Sequence, residues 1–467
     1  MGGTRCARMG ESEAALHSRQ GRLRLAFTGN LDGASASRAC PPGGDAGLTF
    51  PRGVWYAFAV LRFEEALSRI LALGTPALSV ERVPIEDLDG RVLAEDLVAR
   101  ADLPGFDYSS MDGYAVRTRD LGEPPIRLPV RGESRTGVLP DALAPGSSMR
   151  IFTGAAIPAG ADAVVMQENV TRDGDIAVFT AAPRAGQNVR RRGDDLAAGA
   201  IAIAKGTRLR PAHLALAASL DEAEIAVTKR PEVAILATGD ELRRPGTDAV
   251  PGTIPESNTV VLRAMARRAG ARARALPYVR DERAATERAF AAALEEADVV
   301  VTIGGVSVGD HDLVRPALEA VGVTLDFWRV AMKPGKPLAV GRFPRAGRRD
   351  AIVLGLPGNP ASAMVTFALF GAPLLRALSG DARPFPPTRR ARMTRAHVRD
   401  PGRLEFVRAM VGHGDGGELT VTTLGNQASG AVTTMAQSDA LVLVPAEESG
   451  VPAGAEVDVL LMSDLCG

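Results

Sequence analysis

Apolar positions change period several times along this chain, and each change marks a new unit. Phe63, Ala66, Leu67, Ile70 and Leu71 recur at helical spacing until Gly74 and Pro76 stop the run. Residues 102–114 carry no period and read as a loop. Residues 115–195 are turn-rich, with short alternating runs at Ala163–Glu168 and Ile176–Thr180, which predicts a small all-β module. A helix over Pro211–Ala218 follows, with proline at an early position. From Glu232 the pattern alternates between strand and helix. The predicted strands are Val233–Ala237, Ala273–Pro277, Asp298–Ile303 and Ala351–Leu354. The predicted helices are Val260–Arg268, Ala284–Leu294, Leu313–Ala320 and Ala361–Leu378. Continuous Val/Ile strands separated by helices predict a parallel sheet covered on both faces. Pro-rich Arg383–Arg390 reads as a linker, and β-like runs at Val421–Thr423, Ala440–Val444 and Glu456–Leu461 predict a C-terminal β-barrel or sandwich. The Gly, Ala, Ser and Pro content of residues 29–53 predicts that residues 1–60 are a disordered N-terminal extension, either part of the native protein or sequence upstream of its true start.

Composition narrows the function classes. Hydrophobic residues make up 46% and charged residues 24% of the 467 positions, an ordinary globular balance. The formal net charge of +0 argues against a general nucleic-acid or acidic-membrane binder, so any anion site is local. The three cysteines, Cys6, Cys40 and Cys466, show no paired spacing, and the five histidines show no metal-ligand spacing. No apolar run approaches a membrane span, and no signal-type segment opens the chain. These features set a cytoplasmic expectation.

Lysine usage locates the chemistry. Only four lysines occur against 55 Lys+Arg, and two of them, Lys333 and Lys336, share the segment Met332–Pro337. A compact ammonium meets phosphate-like oxyanions as a point charge, where arginine favours bidentate geometry. Three further loops follow predicted strand ends: Thr238-Gly239-Asp240-Glu241, Gly304–Gly309 with Asp310 and Asp312 behind it, and Gly355–Pro360 at a helix start. Ligands of open α/β sheets bind beyond the carboxyl ends of strands, where glycines admit close backbone approach and N–H groups suit phosphate. The acidic residues Asp240, Glu241, Asp281, Asp310 and Asp312 are candidate Mg²⁺ ligands or helix caps. In the β module, Arg190-Arg191-Arg192 beside Asp194 and Asp195 reads either as an oxyanion site or as a solvated charged turn. Gly305–Gly309 also matches the nucleophile elbow of hydrolases around Ser307, with His397 or His413 as the required histidine.

Taken together, these segments resemble the molybdopterin molybdenumtransferase family, known as MoeA in bacteria and as the E domain of gephyrin in animals. The matching segments are Pro104–Ala115, Thr153-Gly154-Ala155, Asn188–Asp195, Thr238–Leu242, Ser257-Asn258, Gly304–Gly309, Met332–Pro337 and Leu356–Ser362. The resemblance begins near Leu61 and runs in family order. It implies a homodimer of four-domain subunits. The domains would be an elongated linking domain (61–105 with 195–228), an inserted β module (106–194), a molybdopterin-binding α/β domain (229–380) and a C-terminal β-barrel (381–467). The implied reaction inserts molybdate into adenylylated molybdopterin, with Mg²⁺-dependent cleavage that releases AMP. By resemblance, Asp112, Thr153, Arg190 and Asp195 approach from the second subunit. Glu241, Asp281, Asp312 and Lys333 line the pterin-phosphate cleft, with Asp281 and Asp312 as Mg²⁺ ligands. Thr238, Gly239, Asp240, Ser257, Asn258, Gly304, Gly305, Ser307, Gly309, Pro357, Gly358 and Asn359 would cradle the substrate. Molybdate would lie near Lys336, Pro337, Arg408 and Ser429. Two departures stand out: the family's Gly-His-Gln appears as Gly425-Asn426-Gln427, and Phe327-Trp328-Arg329 ends in arginine where many members have lysine. The adenylyltransferase that makes the adenylated pterin, itself a possible partner, and competence-protein-like pyrophosphatases share the α/β fold. A scaffold role is the remaining alternative.

Overall fold

The computed structural model describes residues 60–305 and 313–466. Ser307, Gly309, Asp310, Asp312 and the N-terminal stretch expected to be an extension lie outside the described residues.

Helix α1 (Phe63–Leu73) forms where the pattern places it, burying Phe63, Ala66, Leu67 and Ile70. Glu64 and Glu65 in its first turn complement the positive pole of the helix dipole. Phe63 stands against the rings of Phe370 and Phe406, with centroids 5.3 and 5.1 Å away. It therefore ties α1 to the helices of the α/β region and to the C-terminal sheet at once. Packing of this kind adds about 0.5–1.5 kcal/mol per ring pair beyond area burial.

Two antiparallel pairings bring distant segments together. Val80–Pro84 pairs with Glu224–Thr228, and Leu97–Val98 pairs with Ile201–Ile203. Residues on either side of 106–194 thus share one core, with Leu88, Leu93, Leu209 and Val227 inside it. Between them lies a six-stranded sheet. Its strands are β1 (Gly113–Val116), β2 (Ile126–Ser134), β3 (Ser148–Ile151), β4 (Ala163–Met166), β5 (Val170–Asp173) and β6 (Ile176–Phe179). Their order is β4-β1-β3-β2-β6-β5. The stretch 102–114, expected to be a loop, carries the start of β1 and a two-residue strand at Tyr108–Ser109 paired with Val189–Arg190.

The α/β region follows helix α2 (Pro211–Ser219). Its elements are β7 (Glu232–Ala237), α3 (Asn258–Arg268), β8 (Arg272–Ala275), α4 (Arg283–Glu296), β9 (Val299–Ile303), α5 (Val314–Ala320), β10 (Thr324–Arg329), β11 (Met332–Lys333), β12 (Pro337–Phe343) and β13 (Ala351–Leu356). The sheet order is β8-β7-β9-β13-β12-β10. The first four strands are parallel, as expected from their apolar runs. The sheet as a whole is mixed, however, because β12 and β10 join antiparallel. That departs from the all-parallel expectation. The hairpin was hidden because its connection is the motif-rich Val330–Lys336, which reads as loop chemistry.

The predicted helix Ala361–Leu378 is α6 (Pro360–Thr366) and α7 (Ala372–Leu378), joined by a π-helical turn at Phe367–Gly371. Within these 19 residues an 18-residue window has a mean hydropathy of 1.5, so the expectation that no apolar run approaches a membrane span is corrected. That run is 89% buried inside the fold, which makes it a central core helix.

The C-terminal strands are β14 (Arg389–Met393), β15 (Leu404–His413), β16 (Leu419–Thr423), β17 (Ala440–Val444) and β18 (Glu456–Leu461). They close into a five-stranded barrel in the order β15-β16-β14-β18-β17 and back to β15. Closure removes free sheet edges. The linker expected at 383–390 gives way to β14 at Arg389. β14 and β15 were missed because arginines and a glutamate interrupt their apolar runs.

Candidate functional site

The parallel strands end together, and their loops meet there. Thr238 follows β7 and donates its N–H to Ile303 O at 3.2 Å. Gly239 donates to Val279 O at 3.1 Å, and its φ of +152° suits glycine alone. A Cβ at Gly239 would overlap the carboxylate of Glu241, which folds back over it. Asp240 Oδ1 accepts the backbone N–H of Asp281 at 3.3 Å, which makes these two residues neighbours. Gly304 donates to Leu356 O at 3.2 Å, and Gly305 also has positive φ. A Cβ on Gly358 would lie 3.5 Å from Gly304 Cα, so the two glycine loops touch. Asn258 Nδ2 donates to Gly358 O at 2.8 Å, while its buried Oδ1 has no hydrogen-bond partner among the described residues. Ser257, Gly358 and Asn359 are exposed, and Pro357 is buried.

The lysine loop reaches the same end by register. β12 pairs antiparallel with β13, with Ala339 opposite Gly355, so Pro337 lies beside the carboxyl end of β13. Val330 N–H donates to Lys336 O at 3.0 Å and closes the loop. Gly335 is buried with φ +99°, and a Cβ there would overlap the buried Thr366 hydroxyl on α6. Lys336 is exposed and forms no ion pair with the described residues. Lys333 instead donates to Glu405 Oε1 of the barrel at 2.9 Å.

Glu405 went unassigned at the sequence level. It is 3% exposed, and its Oε2 lies 3.5 Å from His397 Nε2 and 3.7 Å from Arg399 Nη1. Burial pushes its carboxyl upward, but the hydrogen bonds and charges of His397 and Lys333 outweigh that and hold it at about 2. A carboxyl depressed in the fold stabilises it fully above the unfolded value of 4.5, and that contribution is lost as pH falls toward 2. Wild type and Glu405→Gln are therefore expected to differ in thermal midpoint at pH 6, with the difference shrinking steadily below pH 4.5 as pH falls toward 2. A constant difference across that window, followed by scanning fluorimetry, would contradict the assignment. His397, considered above as a hydrolase base, is committed to this carboxylate.

The barrel supplies one more loop. Arg408 is 1% exposed. Its guanidinium donates to Gln427 Oε1 (3.2 Å), Asn426 O (3.1 Å), Ala428 O (3.0 Å) and Ala431 O (3.4 Å). Four of its five N–H groups are thus spent on the loop that carries Ser429. The expected molybdate contact of Arg408 is narrowed to its remaining N–H. Ser429 O accepts the N–H of Ser362 at 3.2 Å, which seats this loop on the start of α6. Gln427 anchors the segment through Nε2 to Arg408 O and Leu424 O, at 2.9 and 2.8 Å.

A second cluster sits in the β module. Asp112 Oδ1 accepts from Thr153 N–H and Oγ1–H at 2.7 and 2.8 Å, and these hydrogen bonds hold its carboxyl below the usual range. Within the arginine triplet, Arg191 pairs with Asp107 and Arg192 with Asp102, both at 2.6 Å. Arg190 and Asp195 remain exposed, with no ion pair among the described residues. The structure thus splits the triplet into two structural arginines and one available one. In a single chain, the hydrogen bonds and ion pairs of this cluster stay within residues 102–198 among the described residues. It is not joined to the strand-end cluster.

This arrangement has counterparts. Residues 61–220 match the model for the MoeA N-terminal region (domain I and II), residues 234–377 a probable molybdopterin binding domain, and residues 390–462 the MoeA C-terminal region (domain IV). The molybdopterin molybdenumtransferase of Haemophilus influenzae is 36% identical over 412 residues, covering 87% of this chain and 100% of that protein. The chain belongs to the molybdopterin molybdenumtransferase family. The Bacillus subtilis molybdopterin molybdenumtransferase is 35% identical over 396 residues, covering 82% of this chain and 90% of its own length. Among solved structures, a molybdopterin biosynthesis MoeA protein from Pyrococcus horikoshii superposes with a TM-score of 0.71 at 30% identity. The match spans 86% of this chain and 99% of that one. Membership in the molybdenumtransferase family accounts for the closed barrel and the β module as well as the α/β region.

Proposed function

We propose that this protein acts in molybdenum cofactor biosynthesis, inserting molybdate into adenylylated molybdopterin and releasing AMP. The observation that carries this reading is the junction of three loops from two units. Lys333–Lys336 and Leu356–Ser362 come from the α/β region, and Asn426–Ser429 comes from the barrel, joined through Lys333–Glu405 and Ser362–Ser429. A dianion beside a phosphoanhydride needs this mix of ammonium, backbone N–H and hydroxyl groups. An adenylyltransferase or pyrophosphatase built on the α/β fold alone would not need the barrel loop. The family match across all three regions also disfavours that alternative and the scaffold one.

Finer parts of the reading follow from the same residues. Among the described residues no group of three or more acidic, His or Cys side chains is arranged to hold a metal. Mg²⁺ needs only one or two carboxylates beside substrate phosphate, and the Asp240 carboxylate, which accepts the backbone N–H of Asp281, puts those two residues side by side at the strand ends. In our reading Asp281, with Asp312, would hold the ion, which neutralises phosphate oxygens when bound. A second copy of the chain would bring Asp112, Thr153, Arg190 and Asp195 to the cleft, so the working form is a cytoplasmic homodimer. The domain limits of 105, 194, 228 and 380 belong to this reading too.

The test is a single-turnover assay with adenylylated molybdopterin, Mg²⁺ and molybdate, following AMP by chromatography. AMP is expected only when molybdate and Mg²⁺ are both present. Intact adenylate in the presence of a folded dimer would overturn the transferase reading.

A further inference from the structure

Lys333 is not an isolated charge. β11 runs parallel to the start of β15, with Met332 opposite Leu404 and Lys333 opposite Glu405. Arg403 Nη1 adds a 3.4 Å hydrogen bond to Met332 O. Glu405 is 3% exposed in a strand whose neighbours Leu404, Phe406 and Val407 are all buried and apolar. Buried ion pairs are poor stabilisers, because desolvation offsets most of their attraction and an apolar replacement often does as well. Glu405 stabilises the fold once its partners are present, but a well-packed apolar group in place of the whole pair could do as much, so stability does not single out a carboxylate at this position. Geometry does. The Lys333 side chain stays 48% exposed although its partner is buried. One of its three N–H groups is fixed by Glu405, and two are left for an oxyanion. His397 and Arg399 hold the other carboxylate oxygen, so the carboxylate itself cannot swing with the lysine.

We propose that Glu405 is a positioning residue of the transfer reaction, a carboxylate of the barrel that fixes the Lys333 ammonium where the substrate phosphate meets it. This rests on the transferase reading for its consequence, but not for its geometry. A flexible lysine stem otherwise samples many rotamers, and an ammonium misplaced by about 1 Å can cost on the order of 100-fold in rate.

The experiment is a double-mutant cycle with an independent chemical readout. Glu405→Gln keeps size and removes charge. AMP release is expected to fall about 10-fold or more in E405Q and in Lys333→Met, with the double variant no slower than K333M. Additive losses would show that Glu405 acts without Lys333 and would overturn the proposal. The second readout needs no activity. With only four lysines in the chain, limiting acetylation read by peptide mass spectrometry reports each one separately. Lys333 is expected to react several-fold faster in E405Q than in the wild type, with Lys205 and Lys229 unchanged. An unchanged Lys333 rate would sink the proposal whatever the enzyme assay shows. A wild-type protein that releases no AMP would sink the transferase reading and leave the acetylation rates to judge Glu405. Should E405Q fail to fold, Glu405→Asp serves in the same assay, because it keeps the charge beside His397 and Arg399 but shortens the reach to Lys333.

Discussion

Lys336→Ala is expected to lower molybdate-dependent AMP release by about 100-fold or more while leaving the fold intact. Removing one preorganised donor from a site that stabilises developing charge typically costs that much. The two lysines of the loop differ in this respect. Lys333 is already paired with Glu405, whereas Lys336 is exposed and unpaired among the described residues. Its backbone is nonetheless held, through its carbonyl to Val330 and through Gly335 packed against Thr366. An unpaired ammonium on a fixed loop is preorganised for an incoming dianion. Stability should hardly change, since surface substitutions away from special features stay within about 0.5 kcal/mol. The measurement is kcat and KM for molybdate, with a thermal midpoint as control. A rate within twofold of wild type would remove Lys336 from the site.

Arg408→Met is expected to produce the opposite combination, a large local destabilisation together with lost activity. The substitution keeps an unbranched apolar stem but removes the guanidinium from Asn426 O, Ala428 O, Ala431 O and Gln427 Oε1. Gln427 Oε1 keeps the backbone N–H of position 408 and the single Thr434 hydroxyl reaches Asn426 O or Ala431 O, so Ala428 O and one of those two carbonyls lose their donor. Each buried acceptor left unpaired costs about 1–3 kcal/mol. The loop, more than the barrel, should bear the loss, because the barrel core of Val407, Ala409, Val421, Val442 and Val459 is untouched. Hydrogen exchange should accelerate at residues 425–431 with little change in the barrel strands, and the KM for molybdate should rise at least about 10-fold. The KM figure assumes that Ser429 and the last Arg408 N–H both meet the anion. Protected loop amides in the variant would show that the guanidinium does not organise the segment.

Much of this site was legible before the fold was known. The glycine and proline loops behind apolar strands announce close backbone approach, and Gly239, Gly304 and Gly335 all have positive φ. The pairing of Asp240 with Asp281 and of Asn258 with Gly358 joins residues singled out from sequence alone. Glu405 escaped notice because one acid in an apolar strand carries no spacing signal. Its inward position beside Leu404 and Phe406 was the available clue. The antiparallel hairpin β10–β12 escaped because its strands flank the most motif-rich segment of the chain.

The sequence by itself determined the periodic elements and the chemical character of the loops. Apolar period and the backbone freedom of glycine and proline are local properties that survive any arrangement of the units. Partner choice among charges was decided only in three dimensions. Arg190, Arg191 and Arg192 are equivalent as a string, yet Asp107 and Asp102, more than 80 positions away, claim two of them. Lys333 and Lys336 are likewise equivalent until β15 brings Glu405 beside one of them. Ion pairing depends on separation in space and on burial, and neither is written in local spacing.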